Sequence, residues 1–330
     1  MNPSTRKQTV TIQDVWEARK RIKSIVQPTP LITSPKLSQI QQANVHLKLE
    51  TLHETGAFKV RGAANKILSL SPEKRKAGVT TFSTGNHGLA VAWIAKQLGM
   101  KAVICISNRV PVAKVNAMKQ YGAIIERVGD SQDDAEEFCY QLEKEQGLTV
   151  IKPFDDQHVI AGQGTIGIEI MEDLPTIDTI LIPLSGGGLF SGIALALKSY
   201  QPDIRVVGVS MENAAVMAES LVAGQPVVLP EEDTLADSLL GGIGLDNQYT
   251  FQMVRDLLDD MIHVSEEEIA DGMAFLLEHH QLVAEGAAAT GVAAILSGKL
   301  QTKGKQIATI ITGNNVDMPV IARILQKRFL

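Results

Sequence analysis

A lysine at the predicted start of a helix is the first residue of this sequence whose position could support chemistry. Residues 45–50 alternate between apolar and polar side chains as a strand does, and the stretch containing Lys59 then opens a pattern with helical spacing. A cation there meets the positive end of the helix dipole, which favours the neutral amine and lowers its pKa. A neutral amine can form an imine with an aldehyde. The ordinary alternative is an exposed lysine with no chemical role.

A glycine-rich loop, Ser185-Gly186-Gly187-Gly188-Leu189, follows the apolar strand predicted at residues 179–184 and precedes a helix. Consecutive glycines let backbone N–H groups converge on an oxyanion, and a helix N-terminus adds favourable potential. The loop is not a P-loop, because Gly192 is followed by Ile193 instead of lysine. It is also a poor dinucleotide fingerprint, since Ser191 stands where the third glycine belongs. The pattern predicts a phosphate site, with a nicotinamide cofactor or a plain tight turn as alternatives.

Two further loops follow predicted strands. The first, Ser83-Thr84-Gly85-Asn86-His87-Gly88, offers hydroxyls, a carboxamide and backbone amides at a helix start, which suits a carboxylate. His87 is a candidate general base there, and a histidine that merely caps the helix is an equal alternative. The second loop begins at Thr312, whose hydroxyl either caps the next helix or hydrogen-bonds a ring nitrogen of a cofactor. Together with Lys59 and the glycine-rich loop that would bind an oxyanion, these two loops provide the groups needed to bind pyridoxal phosphate attached to an amino acid.

Strands and helices alternate along most of the chain, which is typical of an α/β protein. Between residues 79 and 151 the order is β-α-β-α-β-α-β, which predicts a parallel sheet with helical crossovers. Further strands are predicted at residues 179–184, 205–209 and 306–311, and a helix is predicted at residues 164–171. A length of 330 residues is enough for two domains.

Composition argues against several classes of protein. With a net charge of −6 and no basic stripe, the chain is not expected to bind nucleic acid or an anionic membrane surface. Cys105 and Cys139 fit neither a metal-binding spacing nor a disulfide framework. No apolar run approaches the roughly 18 residues of a membrane span, and the first residues lack the apolar core of a signal peptide. A cytoplasmic enzyme is expected.

The sequence resembles the fold type II pyridoxal-phosphate enzymes of the serine/threonine dehydratase–serine racemase family. The matching stretches are Thr55-Gly56-Ala57-Phe58-Lys59-Val60-Arg61-Gly62-Ala63, the Ser83 loop, Ala161-Gly162-Gln163-Gly164-Thr165, the Ser185 loop and Thr312-Gly313-Asn314-Asn315-Val316-Asp317. They span nearly the whole chain in family order. Three other stretches, Pro153–Asp156, Thr234–Ser238 and Gly241–Asn247, are most similar to hydroxyectoine-utilisation dehydratases.

The resemblance implies two doubly wound open-sheet domains of the tryptophan-synthase-β-like type, with the cofactor in the cleft between them. It implies a large cofactor-binding domain at residues 1–53 and 156–330 and a small mobile domain at residues 54–155. It also implies a homodimer that acts on a small amino acid.

Site residues are implied in the same way. Lys59 would be the Schiff-base lysine, and Phe58 would pack on the cofactor ring. Asn86 would bond the ring 3-hydroxyl, Thr312 would face the pyridine nitrogen and Glu285 would lie near the ring. The residues implied to hold the cofactor phosphate are Ser185, Gly186, Gly187, Gly188 and Leu189. Those implied to bind the substrate carboxylate are Ser83, Thr84, Gly85, Asn86 and His87.

The implied reaction is an α,β-elimination on a small β-hydroxy amino acid, giving a 2-oxo acid and ammonia. The substrate would be threonine, serine or a hydroxyectoine-derived compound, and Lys59 would remove its α-proton. A hydroxyl facing the pyridine nitrogen leaves that nitrogen unprotonated, which suits elimination or racemisation better than transamination.

The alternatives differ mainly at one position. Racemising relatives carry a serine on the ring face opposite the lysine, where this sequence has Thr84. Thr84 keeps the hydroxyl, which implies a catalytic role in moving a proton, but it adds a methyl group that restricts χ1 and places efficient racemisation in doubt. An amino-acid racemase is therefore the first alternative, followed by a nicotinamide oxidoreductase and a catalytically silent binding protein. Ser210 and Val216 replace the acidic residues that bind a divalent cation in relatives, so no metal site is expected.

Overall fold

The computed structural model describes residues 9–83, 85–108, 112–130, 132–301 and 305–329. Thr84, for which the sequence predicts catalytic and substrate-binding roles, lies outside these ranges. In the described part of the chain, ten strands form two sheets. The strands are β1 Leu31–Thr33, β2 Asn44–Leu49, β3 Val79–Phe82, β4 Ala102–Ile106, β5 Ile124–Arg127, β6 Thr149–Val150, β7 Thr179–Pro183, β8 Arg205–Met211, β9 Asp260–Val264 and β10 Gln306–Ile311.

The larger sheet has six strands in the order β1-β2-β10-β7-β8-β9. β1 pairs antiparallel with β2, and the other pairings of this sheet are parallel. The smaller sheet has the order β5-β4-β3-β6 and is parallel throughout. Parallel neighbours need crossover connections, and helices supply them. The predicted α/β class with two open sheets is confirmed.

Helices connect the strands and cover the sheets. In the described ranges no helix is both long and apolar enough to cross a membrane. The helices are α1 Ile12–Ile22, α2 Pro35–Gln41, α3 Lys59–Leu68, α4 Pro72–Ala77, α5 Asn86–Gln97, α6 Val112–Gln120, α7 Gln132–Gln146, α8 Gln157–Asp173, α9 Gly188–Tyr200, α10 Val216–Ala223, α11 Thr250–Leu257, α12 Glu266–His280, α13 Gly286–Leu296 and α14 Met318–Phe329.

The larger sheet is buried on both faces because successive side chains of a strand point in opposite directions. On β7, Leu181 packs in the cluster that contains α12 and α13. Its neighbours Ile180 and Ile182 pack in the cluster that contains α8 and α9. This two-sided burial explains why β7 is an uninterrupted apolar run in the sequence.

Adjacent parallel strands bring two of the predicted loops to one edge of the larger sheet. β7 and β10 are neighbours, with Leu181 opposite Thr309, so the loops at Ser185 and Thr312 leave the sheet on the same side. The Ser83 loop follows β3 of the smaller sheet and lines the same cleft as the other two. Ligands of open α/β sheets bind at such strand ends.

The structure corrects the sequence interpretation of α8, which begins at Gln157 and not near residue 164. The side chain of Asp156 caps the helix by accepting hydrogen bonds from the N–H groups of His158 and Val159, at 2.8 and 3.2 Å. Glycine weakens a helical pattern, but here it permits close packing. A Cβ atom on Gly162 would lie 2.7 Å from the backbone oxygen of Arg61. The edge strand β9 and the helix α11 were not predicted at all.

A buried ionic cluster anchors α3 to α8 and β2. The guanidinium of Arg61, which is 1% exposed, donates to the Glu50 carboxylate at 2.7 and 2.8 Å. It also donates to the Glu169 carboxylate at 2.5 and 2.9 Å. The Lys48 ammonium lies 2.7 Å from Glu169, so two cations and two carboxylates balance inside the protein. The cluster fixes the first turn of α3, which begins at Lys59.

Candidate active site

A cleft of about 360 Å³ lies where the strand ends of the two sheets meet. This volume is in the range of pockets that bind small ligands. All the predicted site residues in the described part of the chain line it. They are Phe58, Lys59, Ser83, Gly85, Asn86, His87, Ser185, Gly186, Gly187, Gly188, Leu189, Glu285 and Thr312.

Lys59 is the first residue of α3, and its amine lies inside the cleft. Its Nζ donates a hydrogen bond to the Pro153 carbonyl at 2.8 Å and lies 5.3 Å from the centre of the Phe58 ring. Burial lowers the pKa of Lys59 to about 8, and the negative charge of Glu285 opposes that shift. The direction agrees with the sequence prediction, although burial, and not the helix dipole, is the cause found in the structure. Roughly one tenth of the amine is therefore neutral and nucleophilic at pH 7, far more than for a lysine with an ordinary pKa of about 10.4.

We expect acylation of the cofactor-free protein at Lys59 to rise with a midpoint near pH 8, because only the neutral amine reacts. The measurement is mass spectrometry of digests after brief labelling across a pH series. A free lysine derivative in the same tube, with a side-chain pKa of about 10.4, provides the reference curve. If Lys59 followed the reference curve, its amine would not be perturbed by the cleft.

The Ser185 loop forms a cradle of backbone. Gly187 has φ +86, a left-handed conformation that favours glycine. A Cβ atom would lie 2.5 Å from the ring of Phe154 if placed on Gly186, and 2.9 Å from the Cα atom of Phe154 if placed on Gly188. Because α9 begins at Gly188, its first N–H groups have no partners within the helix. The cradle thus offers backbone donors at the positive end of a helix, as an anion requires.

The end of β10 contacts the chain just before Lys59. The Phe58 N–H donates to the Thr312 carbonyl at 3.0 Å, and Ala57 forms an isolated β-bridge with Gly313. Thr312 is 3% exposed and lines the cleft. These backbone contacts fix the position of Thr312 relative to the start of α3, where Lys59 lies.

Asn86 and Glu285 meet across the cleft. The Asn86 Nδ2 atom donates to both carboxylate oxygens of Glu285, at 2.9 and 3.1 Å. Glu285 is 2% exposed, and its backbone N–H donates to the Gly313 carbonyl at 3.1 Å. The structure thus brings three predicted residues from distant parts of the sequence, Asn86, Glu285 and Thr312, to one wall of the cleft.

His87 is buried and neutral. Its Nε2 atom lies 2.9 Å from the Ile151 carbonyl, so this nitrogen carries the hydrogen and donates it. Burial, followed by the positive charge of Lys59, lowers the pKa of His87 to about 3. A base this weak removes protons poorly at neutral pH. The interpretation of His87 as a general base therefore loses its physical support.

Comparison with known proteins identifies the family. A family model described as pyridoxal-phosphate-dependent enzyme matches residues 22–313. The chain belongs to this family. It is 47% identical over 309 residues to a provisionally named threonine dehydratase of Sinorhizobium fredii, with 94% of this chain and 93% of that protein covered. It is 43% identical over 318 residues to the L-threonine ammonia-lyase of Thermotoga maritima, with 96% and 79% covered.

A solved structure gives the same result for the fold of this pyridoxal-phosphate-dependent enzyme. The structure of maize serine racemase matches with a TM-score of 0.91 and 37% identity, over 97% of this chain and 98% of that one. The motif resemblance to the fold type II dehydratases and racemases is therefore confirmed. The protein is a pyridoxal-phosphate-dependent lyase.

The residues present fit the cofactor. Pyridoxal phosphate has a phosphate, an aldehyde and an aromatic ring that need an anion site, a neutral amine and an apolar surface. The cleft offers the glycine cradle, the Lys59 amine with its lowered pKa and the Phe58 ring. A side chain on Gly186 or Gly188 would collide with Phe154, so only glycine lets the backbone of the cradle take this position.

Several residues of the cleft were missed as site residues. Phe154 supports the glycine cradle, and the Pro153 carbonyl accepts from Lys59. Asp155 accepts hydrogen bonds from three consecutive N–H groups, of residues 248–250, at 2.8 to 3.0 Å, and so fixes the start of α11. These residues belong to Pro153–Asp156, a stretch that resembles the hydroxyectoine-utilisation dehydratases but for which the sequence analysis predicts no role. Asn315, which contacts Asn86, lies in the Thr312–Asp317 stretch that carried the family resemblance, but it too was given no role.

Proposed function

We propose that the protein is a dehydratase that converts L-threonine or L-serine into a 2-oxo acid and ammonia. The observation that carries this proposal is the Lys59 amine, with its pKa near 8, in one cleft with a glycine cradle and an amide-rich loop. The relative from Thermotoga maritima, which carries the name L-threonine ammonia-lyase, supports the choice of substrate.

The cofactor roles are part of the proposal. When the cofactor is bound, backbone N–H groups of Ser185–Leu189 would hold its phosphate, Lys59 would bind its aldehyde carbon and Phe58 would pack on its ring. Thr312 would offer its hydroxyl to the ring nitrogen, and Asn86 would donate to the ring 3-oxygen. Pyridoxal phosphate, when bound, supplies an aromatic ring that accepts the negative charge developing at the substrate α-carbon.

Lys59 then acts as the base. With the cofactor and substrate bound, the neutral Nζ of Lys59 would take the proton from the substrate α-carbon. The bond between the β-carbon and the hydroxyl breaks, and the hydroxyl leaves with a proton as water. The unsaturated amine then takes up one water molecule and releases ammonia, which leaves the 2-oxo acid.

The substrate carboxylate is proposed to bind at the Ser83 loop. Ser83, Gly85, Asn86 and His87 line the cleft, and α5 begins at Asn86. A helix start offers free N–H groups and positive potential to a carboxylate. The neutral His87 supplies no charge of its own, so backbone donors carry the interaction. The predicted part of Thr84 in binding the carboxylate and moving a proton stays a prediction.

The charge of the cleft favours a substrate without an acidic side chain. Among the described residues that line it, Glu231, Asp237 and Glu285 are acidic and Lys59 is the only lysine or arginine. A second substrate carboxylate would meet these groups without a cation to pair with. Threonine and serine have neutral side chains and avoid this cost.

The domain division and the assembly are further proposals. All strands of the larger sheet lie within residues 1–53 or 156–330, and all strands of the smaller sheet lie within residues 54–155. This supports a mobile small domain that closes on the substrate and excludes water. We also propose a homodimer, the commonest symmetric assembly.

The test is an assay of the enzyme loaded with its cofactor on L-threonine, L-serine and L-aspartate. We expect 2-oxobutanoate from threonine and pyruvate from serine, each with an equal amount of ammonia, and no turnover of aspartate. Chiral chromatography of the serine reaction examines the second candidate, a racemase, which the likeness to maize serine racemase favours. Abundant D-serine without pyruvate would overturn the dehydratase.

A narrower substrate is also proposed as an alternative within the same reaction. Asp237, Ser238, Gly241 and Gly242 line the cleft, and they belong to the stretches most similar to hydroxyectoine-utilisation dehydratases. Turnover of a hydroxyectoine-derived β-hydroxy amino acid, with only slow turnover of threonine and serine, would reassign the substrate and keep the reaction.

A further inference from the structure

Three carboxamide and carboxylate side chains form a hydrogen-bonded chain along one wall of the cleft. Asn315 Nδ2 donates to the Thr55 carbonyl at 2.8 Å and to Asn86 Oδ1 at 2.6 Å. Asn86 Nδ2 in turn donates to the two carboxylate oxygens of Glu285, at 2.9 and 3.1 Å. These hydrogen bonds join the loop before Lys59, the start of α5, the residue before α13 and the segment after β10.

The donor-to-acceptor direction of these hydrogen bonds is fixed at both ends of the series. The Thr55 carbonyl can only accept, so the end of the Asn315 amide that faces it must be the NH₂ group. An ionised Glu285 carboxylate also only accepts, so the end of the Asn86 amide that faces it must be its NH₂ group. The oxygen of Asn86 is then left to face the NH₂ group of Asn315, as the 2.6 Å contact requires. No other assignment of the two amides satisfies all three contacts.

This direction decides what Asn86 offers to a ligand. Asn86 lines the cleft and is 7% exposed. Its oxygen is engaged by Asn315, and its NH₂ group has two hydrogens, of which the Glu285 carboxylate needs one. The second hydrogen makes Asn86 a donor towards the cleft. A donor selects an oxygen that carries negative charge or a lone pair, such as the ring 3-oxygen of the cofactor.

We propose that Asn315 is a positioning residue, which holds the Asn86 amide with its NH₂ group towards Glu285 and the cofactor. Asn315 acts only through Asn86 and touches neither substrate nor cofactor in this role. The inference rests on the proposed contact between Asn86 and the cofactor ring. It does not depend on which amino acid is the substrate.

The first test is Asn315→Asp, which keeps the shape of the side chain and removes its two N–H donors. The new carboxylate faces Asn86 Oδ1, so whichever way the Asn86 amide turns, its oxygen meets a carboxylate, at residue 315 or at Glu285, and its NH₂ group is no longer held towards the cofactor. The readout is the dissociation constant of pyridoxal phosphate, from equilibrium dialysis of the full-length holoenzyme. We expect it to rise about tenfold or more, the range for loss of a hydrogen bond to a charged group.

Asn314→Asp is the matched control. It makes the same chemical change one residue earlier in the chain, where the Nδ2 atom is 3.5 Å from the Thr51 carbonyl and does not contact Asn86. We expect its cofactor dissociation constant to stay within about twofold of wild type. An equal loss of affinity in the two variants would overturn the proposal, as would wild-type affinity in Asn315→Asp.

A double variant separates positioning from simple structural support. In Asn315→Asp combined with Glu285→Gln, the introduced glutamine can donate to the Asn86 oxygen while Asn86 donates to the introduced carboxylate, so the hydrogen bonds among these three side chains form in reverse and only the bond to the Thr55 carbonyl is lost. We expect the melting temperature to rise above that of Asn315→Asp, while the cofactor dissociation constant stays about tenfold higher than in Glu285→Gln. Recovery of the affinity as well would show that amide direction is irrelevant and would overturn the inference.

Asn315→Ala provides a version without the added charge. It removes the donors and leaves the Asn86 oxygen unpaired, so only Glu285 still orients the amide. We expect cofactor affinity to fall by about threefold or more. Unchanged affinity in this variant would also contradict the inference. Because each readout is cofactor binding, a failure of the dehydratase assay leaves these results interpretable.

Discussion

Replacement of Lys59 by alanine is expected to lower kcat/KM for L-threonine by about 10⁴-fold or more. Lys59 is the only lysine or arginine among the described residues that line the cleft, so no neighbour can bind the cofactor covalently in its place. The base that the sequence predicted as an alternative is His87, and its pKa near 3 leaves it too weak to remove an α-proton at neutral pH. Both proposed functions of the lysine are thus lost together.

Two measurements decide this prediction. Steady-state assays give kcat/KM, and the visible spectrum of the purified protein reports whether the cofactor is attached to lysine. We expect the absorbance of the attached cofactor to disappear in Lys59→Ala even when pyridoxal phosphate is supplied. An alanine variant that kept this absorbance, or more than about 1% of wild-type activity, would remove Lys59 from the centre of the mechanism.

Lys66→Ala is the matched control for this experiment. Lys66 lies on the same helix, but its Nζ pairs with Asp156 at 2.5 Å and it is not among the residues that line the cleft. We expect kcat/KM within about threefold of wild type and an unchanged visible spectrum. A large loss of activity here would point to damage of α3, and not to chemistry at residue 59.

Much of the cleft was predictable because its parts are local. Glycine runs between a strand and a helix occur within a few residues, and the carboxyl ends of neighbouring parallel strands must meet at one edge. The loops at Ser185 and Thr312 follow β7 and β10, which are neighbours in the larger sheet. The α/β class followed from the same alternation of short patterns.

The partners of those local parts were not predictable, because they are distant in the sequence. Asn86 and Glu285 are 199 residues apart, and Asn86 and Asn315 are 229 apart. No periodic pattern encodes which amide meets which carboxylate. The cause of the Lys59 pKa shift was missed for the same reason, since burial is a property of the packed protein. Edge strand β9 escaped prediction because it is short and only partly buried.

The ionic cluster around Arg61 is the clearest case of a long-range feature with a measurable effect. Arg61→Met is expected to lower the free energy of unfolding by about 3–5 kcal/mol, because it leaves Glu50 and Glu169 buried with too few cations. Glu50 has a fully buried side chain, and Glu169 keeps the Lys48 ammonium and the Thr29 N–H group as partners. Methionine approximates the length of the arginine stem, so loss of packing contributes little. Unfolding in denaturant measures the change.

A surface ion pair provides the control for this variant. Arg19 makes a similar two-point contact with Glu172, at 2.6 Å for each bond, but these side chains are 31% and 51% exposed. We expect Arg19→Met to change the free energy of unfolding by about 1 kcal/mol or less, because water screens the pair. Similar losses for Arg19→Met and Arg61→Met would mean that burial adds nothing to the effect of Arg61.

The effect of Arg61→Met is expected to depend on pH, and its sign follows from Glu50. Burial alone raises the pKa of Glu50, but the charge of Arg61, with the hydrogen bond and charge of His53, outweighs burial and holds the pKa below its usual value. A carboxyl whose pKa is lowered in the folded state stabilises the protein above its unfolded pKa of about 4.3, and this stabilisation is lost as the pH falls towards the folded value. The difference in unfolding free energy between wild type and Arg61→Met should therefore be largest near pH 7 and shrink below about pH 4.3. A difference that stayed constant from pH 7 to about pH 3.5 would show that Arg61 stabilises the protein through packing and not through its charge.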